Sequence, residues 1–220
     1  MVSKRILIIT DSLGAPRNDV EIITYDETWV GLITKYFQSQ GHEVIGFTDN
    51  GLSSTMLLNY VKSKLTLYNP DIVVTQYGIV DCAPRVLKNR EILLSKLFFL
   101  SKPVHYIAKK YHAPLSKLRN ICLTPFPLFK ENVEEIYALF KKNNKAEVVT
   151  IAIAPANDDY IKKSPQIQNK IEQYNTVLQF HCDKFIEYGD VGPTILFLPD
   201  AHHLNKKGHE TLYQKLLTCF

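Results

Sequence analysis

Short runs of β-branched and aliphatic residues alternate along the chain with stretches whose apolar residues recur at three- and four-residue steps. The first pattern marks buried strands and the second amphipathic helices. "RILIIT" (5–10) reads as a buried strand. Residues 26–41 read as a helix, because Trp29, Leu32, Ile33, Tyr36 and Phe37 fall on one face and Gly41 stops it. Residues 42–48 predict a second strand, 54–68 a second helix closed by Asn69-Pro70, and 71–78 a third strand. The pattern then loses regularity, and 86–127 predicts helical excursions with several aromatics and prolines. Beyond it follow an amphipathic helix over 129–144 and a fourth strand over 146–155. A long helix spans 164–186, with Ser164 as cap and Pro165 in the first turn. Residues 194–199 form a fifth strand-like run that also fits a loop, and a closing helix covers 205–220. No repeat or low-complexity segment interrupts the chain, and 1–220 reads as one domain.

Repeated strand–helix units imply an α/β fold, with helices on both faces of a mostly parallel sheet. In such sheets ligands bind beyond the carboxyl ends of the strands, where strand order reverses. The ends here are chemically suggestive: Asp11-Ser12 after the first strand, Gly51–Thr55 after the second, and Gly78–Asp81 after the third.

Composition changes this picture little. Of 220 residues, 45% are hydrophobic and 22% charged, ordinary values for a globular protein. The formal charge of +4 is too small and too scattered along the sequence to argue for nucleic acid, and paired lysines such as Lys109-Lys110 read as solvated faces. Cys82, Cys122, Cys182 and Cys219 form neither a CxxC pair nor a zinc-like cluster, so they read as free thiols in a reducing compartment. "MVSKR" is basic, but the apolar run after it is short and leads straight to Asp11, unlike a signal peptide. "LLSKLFFL" (93–100) is too short to span a bilayer. The expected location is the cytoplasm, without stable membrane insertion. Oligomeric state is not legible.

The far end of the chain offers chemistry that fits the first strand's end. "DAHHLNKKGH" places Asp200 three residues before His203, ahead of a helix. A serine hydroxyl is a weak nucleophile at neutral pH and needs a base within hydrogen-bond reach, itself oriented by an acceptor. Asp200 and His203 can share one loop, with the carboxylate on Nδ1 and Nε2 turned to a serine. Each residue also has a plainer reading. Ser12 could only cap a turn, His202 competes with His203, and His209 reads as structural. Asp11 reads as a brace of its turn; Asp81 reads as a brace with a direct role open. Cys82 reads as a packed thiol.

The combined pattern "ITDSLG", "NGLSST", "YGIVD" and "DAHHLNKKGH" resembles, in order and spacing, the four sequence blocks of the SGNH, or GDSL-type, hydrolases. The resemblance spans nearly the whole chain and is most specific in the last block. It implies a flavodoxin-like three-layer α/β/α sandwich with a five-stranded parallel sheet. It also implies acyl-ester hydrolysis or transfer without metal or organic cofactor, with Ser12 as nucleophile, His203 as base and Asp200 as its orienter. The family's second block supplies a backbone N–H to the oxyanion; Ser53 is the better counterpart and Gly51 the alternative. The third block departs from the pattern: Gly78-Ile79-Val80-Asp81 has valine where the family's asparagine would donate to the oxyanion. Losing one such donor costs about 3 kcal/mol of transition-state stabilisation. Two Ala-Pro-Arg segments follow strand ends, so Arg85, or less directly Arg17, could compensate or hold an anionic sugar; structural salt bridges are the alternative. A third block of this kind resembles proteins encoded with bacterial surface-polysaccharide biosynthesis. The expected substrate is therefore an O-acetyl or other acyl ester of a small molecule or glycan. A catalytically weak glycan- or partner-binding relative is a second reading. A flavodoxin-like nucleotide binder is a third, disfavoured because no Gly-rich phosphate loop follows the first strand.

Overall fold

The computed structural model describes residues 2–18, 20–97, 100–189, 193–200 and 203–220. Its strands are β1 (Arg5–Thr10), β2 (Arg17–Asn18), β3 (Ile22–Ile23), β4 (Glu43–Thr48), β5 (Ile72–Gln76), β6 (Glu147–Ile151) and β7 (Lys184–Ile186). Five of them form an all-parallel sheet in the order β4-β1-β5-β6-β7, while β2 and β3 form a separate antiparallel hairpin. The large helices are α1 (Trp29–Ser39), α2 (Ser54–Ser63), α7 (Phe126–Asn144), α9 (Ile167–His181) and α11 (Lys206–Leu217). Helices α1 and α11 pack together, as do α2, α7 and α9, which gives the helix–sheet–helix layering expected from the sequence. The shorter helices are α3 (Ile79–Cys82), α4 (Asn89–Leu97), α5 (Ser101–Lys110), α6 (His112–Arg119), α8 (Asp158–Lys163) and α10 (Pro193–Leu196). Among the described residues no helix is long and apolar enough to cross a membrane.

Strand β1 is central, and Ile6, Leu7, Ile8 and Ile9 are fully buried. A strand covered on both faces has no alternating polar side, so its sequence is a continuous apolar run. Its neighbours β4 and β5 lie on opposite sides, so the strand order reverses at β1. The first switch-point residue after β1 is Asp11.

Most sequence-predicted elements form with shorter ends. Helix α1 starts at Trp29, behind a 3-10 turn over Tyr25–Glu27, and α2 stops at Ser63, before a second 3-10 turn over Leu65–Tyr68. The excursion after "DCAPR" resolves into α4, α5 and α6. Helix α9 starts at Ile167, so the Ser164-Pro165 start is displaced, with the Ser164 carbonyl accepting from the Ile167 N–H.

The fifth strand is a correction. It is β7, at the end of what the sequence predicts as helix 164–186, and not the run 194–199. Helix α9 has no glycine or proline stop; it ends because Asp183 joins the sheet edge. The Asp183 N–H donates to the Val148 carbonyl at 2.9 Å, and its Oδ2 accepts from the Val148 N–H at 2.8 Å. The next three residues then pair with Val149, Thr150 and Ile151. In 194–199 the carbonyls go elsewhere: the Leu196 oxygen accepts from the Asn205 N–H, and the Ile195 and Phe197 oxygens accept from the Asn205 side chain. A segment whose acceptors are taken by a loop cap cannot add a ladder to the sheet.

Asp183 also accepts from Lys141 Nζ at 2.8 Å. Asp183→Ala leaves the Val148 N–H without its charged acceptor, and a hydrogen bond to a charged group is worth about 1.5–3 kcal/mol. Urea unfolding should show a loss of that size, with little change in the denaturant slope.

Candidate active site

The chain leaves β1 through a 3-10 turn, Ser12–Gly14. The Asp11 N–H donates to the Gln76 carbonyl at 3.0 Å, which ties the turn to the end of β5, and Asp11 Oδ1 caps the turn by accepting the Leu13 N–H at 2.9 Å. Gly14 is required for close approach: a Cβ there would lie 2.5 Å from Thr10 Oγ1 and 2.8 Å from Val30 Cγ2. The turn leaves Ser12 half-buried at the end of the central strand.

The C-terminal motif folds back onto this turn. Ser12 Oγ lies 3.0 Å from His203 Nε2, and His203 Nδ1 lies 2.6 Å from Asp200 Oδ2. Asp200 Oδ1 also accepts from the His203 N–H at 3.0 Å, so the carboxylate fixes both the ring and its backbone. The motif's other residues position this loop. The Leu198 N–H donates to the His203 carbonyl, and Leu204 pairs with Phe197 in an antiparallel bridge. Asn205 Oδ1 caps α11 through the Gly208 N–H at 2.8 Å. Gly208 packs against the Leu196 carbonyl, where a Cβ would sit 2.3 Å from the oxygen. His209 is buried and its Nδ1 accepts the Trp29 N–H at 3.2 Å, which links α11 to α1. His202, the competing base in the sequence, lies outside the described residues.

The second and third blocks meet at Asp81. Its buried carboxylate accepts from the Ser54 N–H through both oxygens, at 3.0 and 2.9 Å, and from Ser54 Oγ at 2.8 Å. Asn132 Nδ2 donates to Ser54 Oγ and to Thr55 Oγ1. Ser53 is 4% exposed and its Oγ caps α2 through the Met56 N–H at 3.3 Å, whereas Gly51 stands exposed in the preceding turn at φ +80°. Among the described residues the backbone N–H groups of Ser12 and Ser53 have no acceptor, while their chain neighbours do. Gly78 precedes α3 at φ +120°, a conformation that favours glycine, and a Cβ there would meet Ile153 at 2.7 Å. Val80 is half-buried in α3 and offers no polar group.

The two arginines occupy different surroundings. Arg17 lies on β2, and its charge is felt by His209. Arg85 pairs with Ile121 through its backbone N–H, at 2.7 Å. With Lys88, Arg90 and Cys122 it lines a cavity of about 340 Å³, and an adjoining cavity of about 360 Å³ reaches Arg119, Lys170 and Tyr174. Neither cavity is lined by Ser12 or His203. Among the described residues no group of three or more His, Cys, Asp or Glu could hold a metal ion.

No protein-family model matches the chain, and no curated protein matches it. Solved structures do. The chain is 16% identical to the psychrotrophic esterase EstA from Pseudoalteromonas sp. (TM-score 0.62), covering 98% of this chain and 96% of that one. It is 18% identical to a lipase/acylhydrolase from Enterococcus faecalis (TM-score 0.65; 98% and 94% covered) and 14% identical to the acetylxylan esterase Axe2 from Geobacillus stearothermophilus (TM-score 0.66; 99% and 94% covered). The chain has the α/β/α fold of the SGNH hydrolases.

Burial pushes the Asp11 carboxyl up to about 7; the Leu13 N–H opposes this and the Asp81 charge adds to it. Burial, with the Arg17 charge, pushes His209 down to about 4. The two act oppositely on stability. An acid with a raised native pKa contributes stability that is present below its ordinary value near 3.8 and is lost as pH rises to about 7. A base with a lowered pKa contributes stability that is present above 6.5 and is lost as pH falls to about 4. Asp11→Asn should therefore gain stability relative to the native chain as pH rises from about 4 to about 7. Thermal unfolding across that range checks it: a wild-type-minus-variant difference that does not change with pH would contradict the buried-acid assignment.

Proposed function

We propose that this protein is a serine esterase that cleaves acyl esters through an acyl-Ser12 intermediate. The observation that carries the reading is the continuous contact from Ser12 Oγ to His203 Nε2 and from His203 Nδ1 to Asp200, at 3.0 and 2.6 Å. His203 removes the Ser12 proton as Oγ attacks the ester carbonyl. Asp200 holds the ring with Nδ1 protonated and stabilises the imidazolium that forms. The tetrahedral oxyanion is met by the open N–H groups of Ser12 and Ser53. As the tetrahedral species collapses, the ester C–O bond breaks, the alcohol leaves with the proton from His203, and the acyl group remains on Oγ. Water, deprotonated by His203, then attacks the acyl carbon and releases the acid; a sugar hydroxyl in place of water would make the same site a transferase. Asp81 and Gly78 support the site rather than react: Asp81 fixes the start of α2 beside Ser53, and Gly78 admits the turn into α3.

A short acyl ester of a carbohydrate, with O-acetyl the leading choice, is the substrate class. Its support is the fold likeness to a protein described as an acetylxylan esterase, together with the sequence blocks. Val80 favours a second reading, a weakly catalytic glycan- or partner-binding protein, because it removes a side-chain oxyanion donor.

Intact-mass measurement after incubation with a fluorophosphonate separates these readings. The esterase reading requires one adduct on the native chain and none on Ser12→Ala; an unlabelled native chain leaves the binding reading. With p-nitrophenyl acetate, Asp200→Asn should lower kcat by about 10³–10⁴ while the fold is retained. Val80→Asn adds back a donor and should raise kcat about tenfold or more, with a smaller effect on KM.

A further inference from the structure

The excursion carries a surface that the esterase reading does not use. Residues 86–127 contain eight Lys and Arg and one acid, Glu91, a net of +7 in a chain whose formal net is +4; the remaining residues therefore net −3. Glu91 is already paired with Arg119. The same segment exposes large apolar side chains: Leu93 is 67% exposed, Leu100 54% and Leu118 81%. Helix α5 has no buried residue, yet Val104, Ile107, Ala108 and Tyr111 follow an i, i+3, i+4, i+7 stripe, with Ile107 51% and Tyr111 48% exposed. Such a stripe normally faces a core. Here only part of it is covered: Val104 and Ala108 are half-buried, whereas Ile107 and Tyr111 stand exposed, near Lys102, Lys109 and Lys110 in the sequence.

We propose that this excursion docks on the surface of an anionic lipid bilayer. Exposed aliphatic and tyrosine side chains among lysines suit the headgroup–acyl boundary, where apolar residues enter and cations meet lipid phosphates. A second copy of the chain is disfavoured, because it would bring two segments of net charge +7 together. Nucleic acid fits the charge but leaves Leu93, Leu100, Ile107 and Leu118 in water. Among the described residues no helix is long and apolar enough to cross the bilayer, and the proposed contact is peripheral. The end of the excursion is tied back to the segment that follows β5 through α3: the Arg85 N–H bonds the Ile121 carbonyl, Cys122 Sγ donates to the Cys82 carbonyl at 3.2 Å, and within the excursion Arg119 donates to the Val86 carbonyl at 2.7 Å. Docking there sets how the sheet's carboxyl end meets the membrane. The inference does not depend on Ser12, and Ser12→Ala should bind vesicles as the native chain does.

Co-sedimentation with phosphatidylcholine vesicles, with and without about 30% phosphatidylglycerol, tests it. Partitioning should be at least tenfold stronger onto the anionic vesicles and should fall steeply at about 0.5 M NaCl. Two paired variants at exposed positions, Lys109→Glu with Lys110→Glu and Ile107→Gln with Leu118→Gln, should each lose fivefold or more with an unchanged thermal midpoint. Equal binding to both vesicle types overturns the proposal. So does a charge variant that loses binding beside an apolar variant that keeps it, which would make the surface a contact for a soluble polyanion. Native-like binding by both variants overturns it too, since the contact would then lie elsewhere.

Discussion

Everything at the candidate site depends on how the chain leaves β1. The strand is buried on both faces, so the turn after it starts inside the protein, where a polar group without a partner is costly. Asp11 offsets part of that cost: its N–H goes to the Gln76 carbonyl and its Oδ1 takes the Leu13 N–H, while Oδ2 is buried without a hydrogen-bond partner. The cost is a carboxyl in a low-dielectric site, close enough to Asp81 for the two charges to oppose each other. The result is a short turn with no slack, closed by Gly14 against Thr10 and Val30, which presents Ser12 at a fixed position. A looser turn would free Asp11 from burial but leave the serine hydroxyl without a defined direction.

The second constraint is the distance in sequence between Ser12 and His203, 191 positions. Closing such a loop is costly in entropy, so local geometry at the far end has to be built in advance. Asp200, Asn205, Gly208 and His209 do this in sequence order. Asp200 orders the histidine, Asn205 collects the carbonyls of α10 and caps α11, Gly208 lets α11 touch Leu196, and His209 locks α11 onto α1. Because α1 follows β1 through the β2–β3 hairpin, the same helix pair that closes one face of the sheet also fixes the distance between the loop of His203 and the turn of Ser12.

The central strands and large helices were legible because burial on one or two faces leaves a periodic trace: the run Ile6–Ile9 and the stripe from Trp29 to Phe37 are examples. The pairing of Ser12, Asp200 and His203 was legible because its residue types sit at the strand ends that a parallel sheet gathers. Strand β7 was not legible, since Lys184–Ile186 is three residues long and follows a helix with no stop signal; its existence rests on the bonds of Asp183 to a strand 35 residues earlier. The joint use of Asp81 by both middle blocks was hidden for the same reason, as Ser54 and Asp81 are 27 residues apart. The charge of the excursion is hidden in the net charge of the whole chain, where an acidic remainder masks it.

Val80 marks where the site departs most from the pattern its sequence resembles. The sequence resemblance implies a side-chain oxyanion donor at this position of α3, and the valine instead joins the core contacts of that short helix. In the proposed mechanism the oxyanion donors are then main-chain N–H groups, at Ser12 and Ser53. Main-chain donors are held by the 3-10 turn and by the start of α2, so they lose little freedom on binding and need little reorganisation as charge develops. Beneath them lie two buried carboxyls, Asp11 under the turn and Asp81 under Ser54, so in that mechanism oxyanion geometry is linked to the ionisation of the interior. On that reading the site gives up one donor yet keeps the preorganisation of the other two, and its activity should be more sensitive to the packing beneath the strand ends than to residues on its rim.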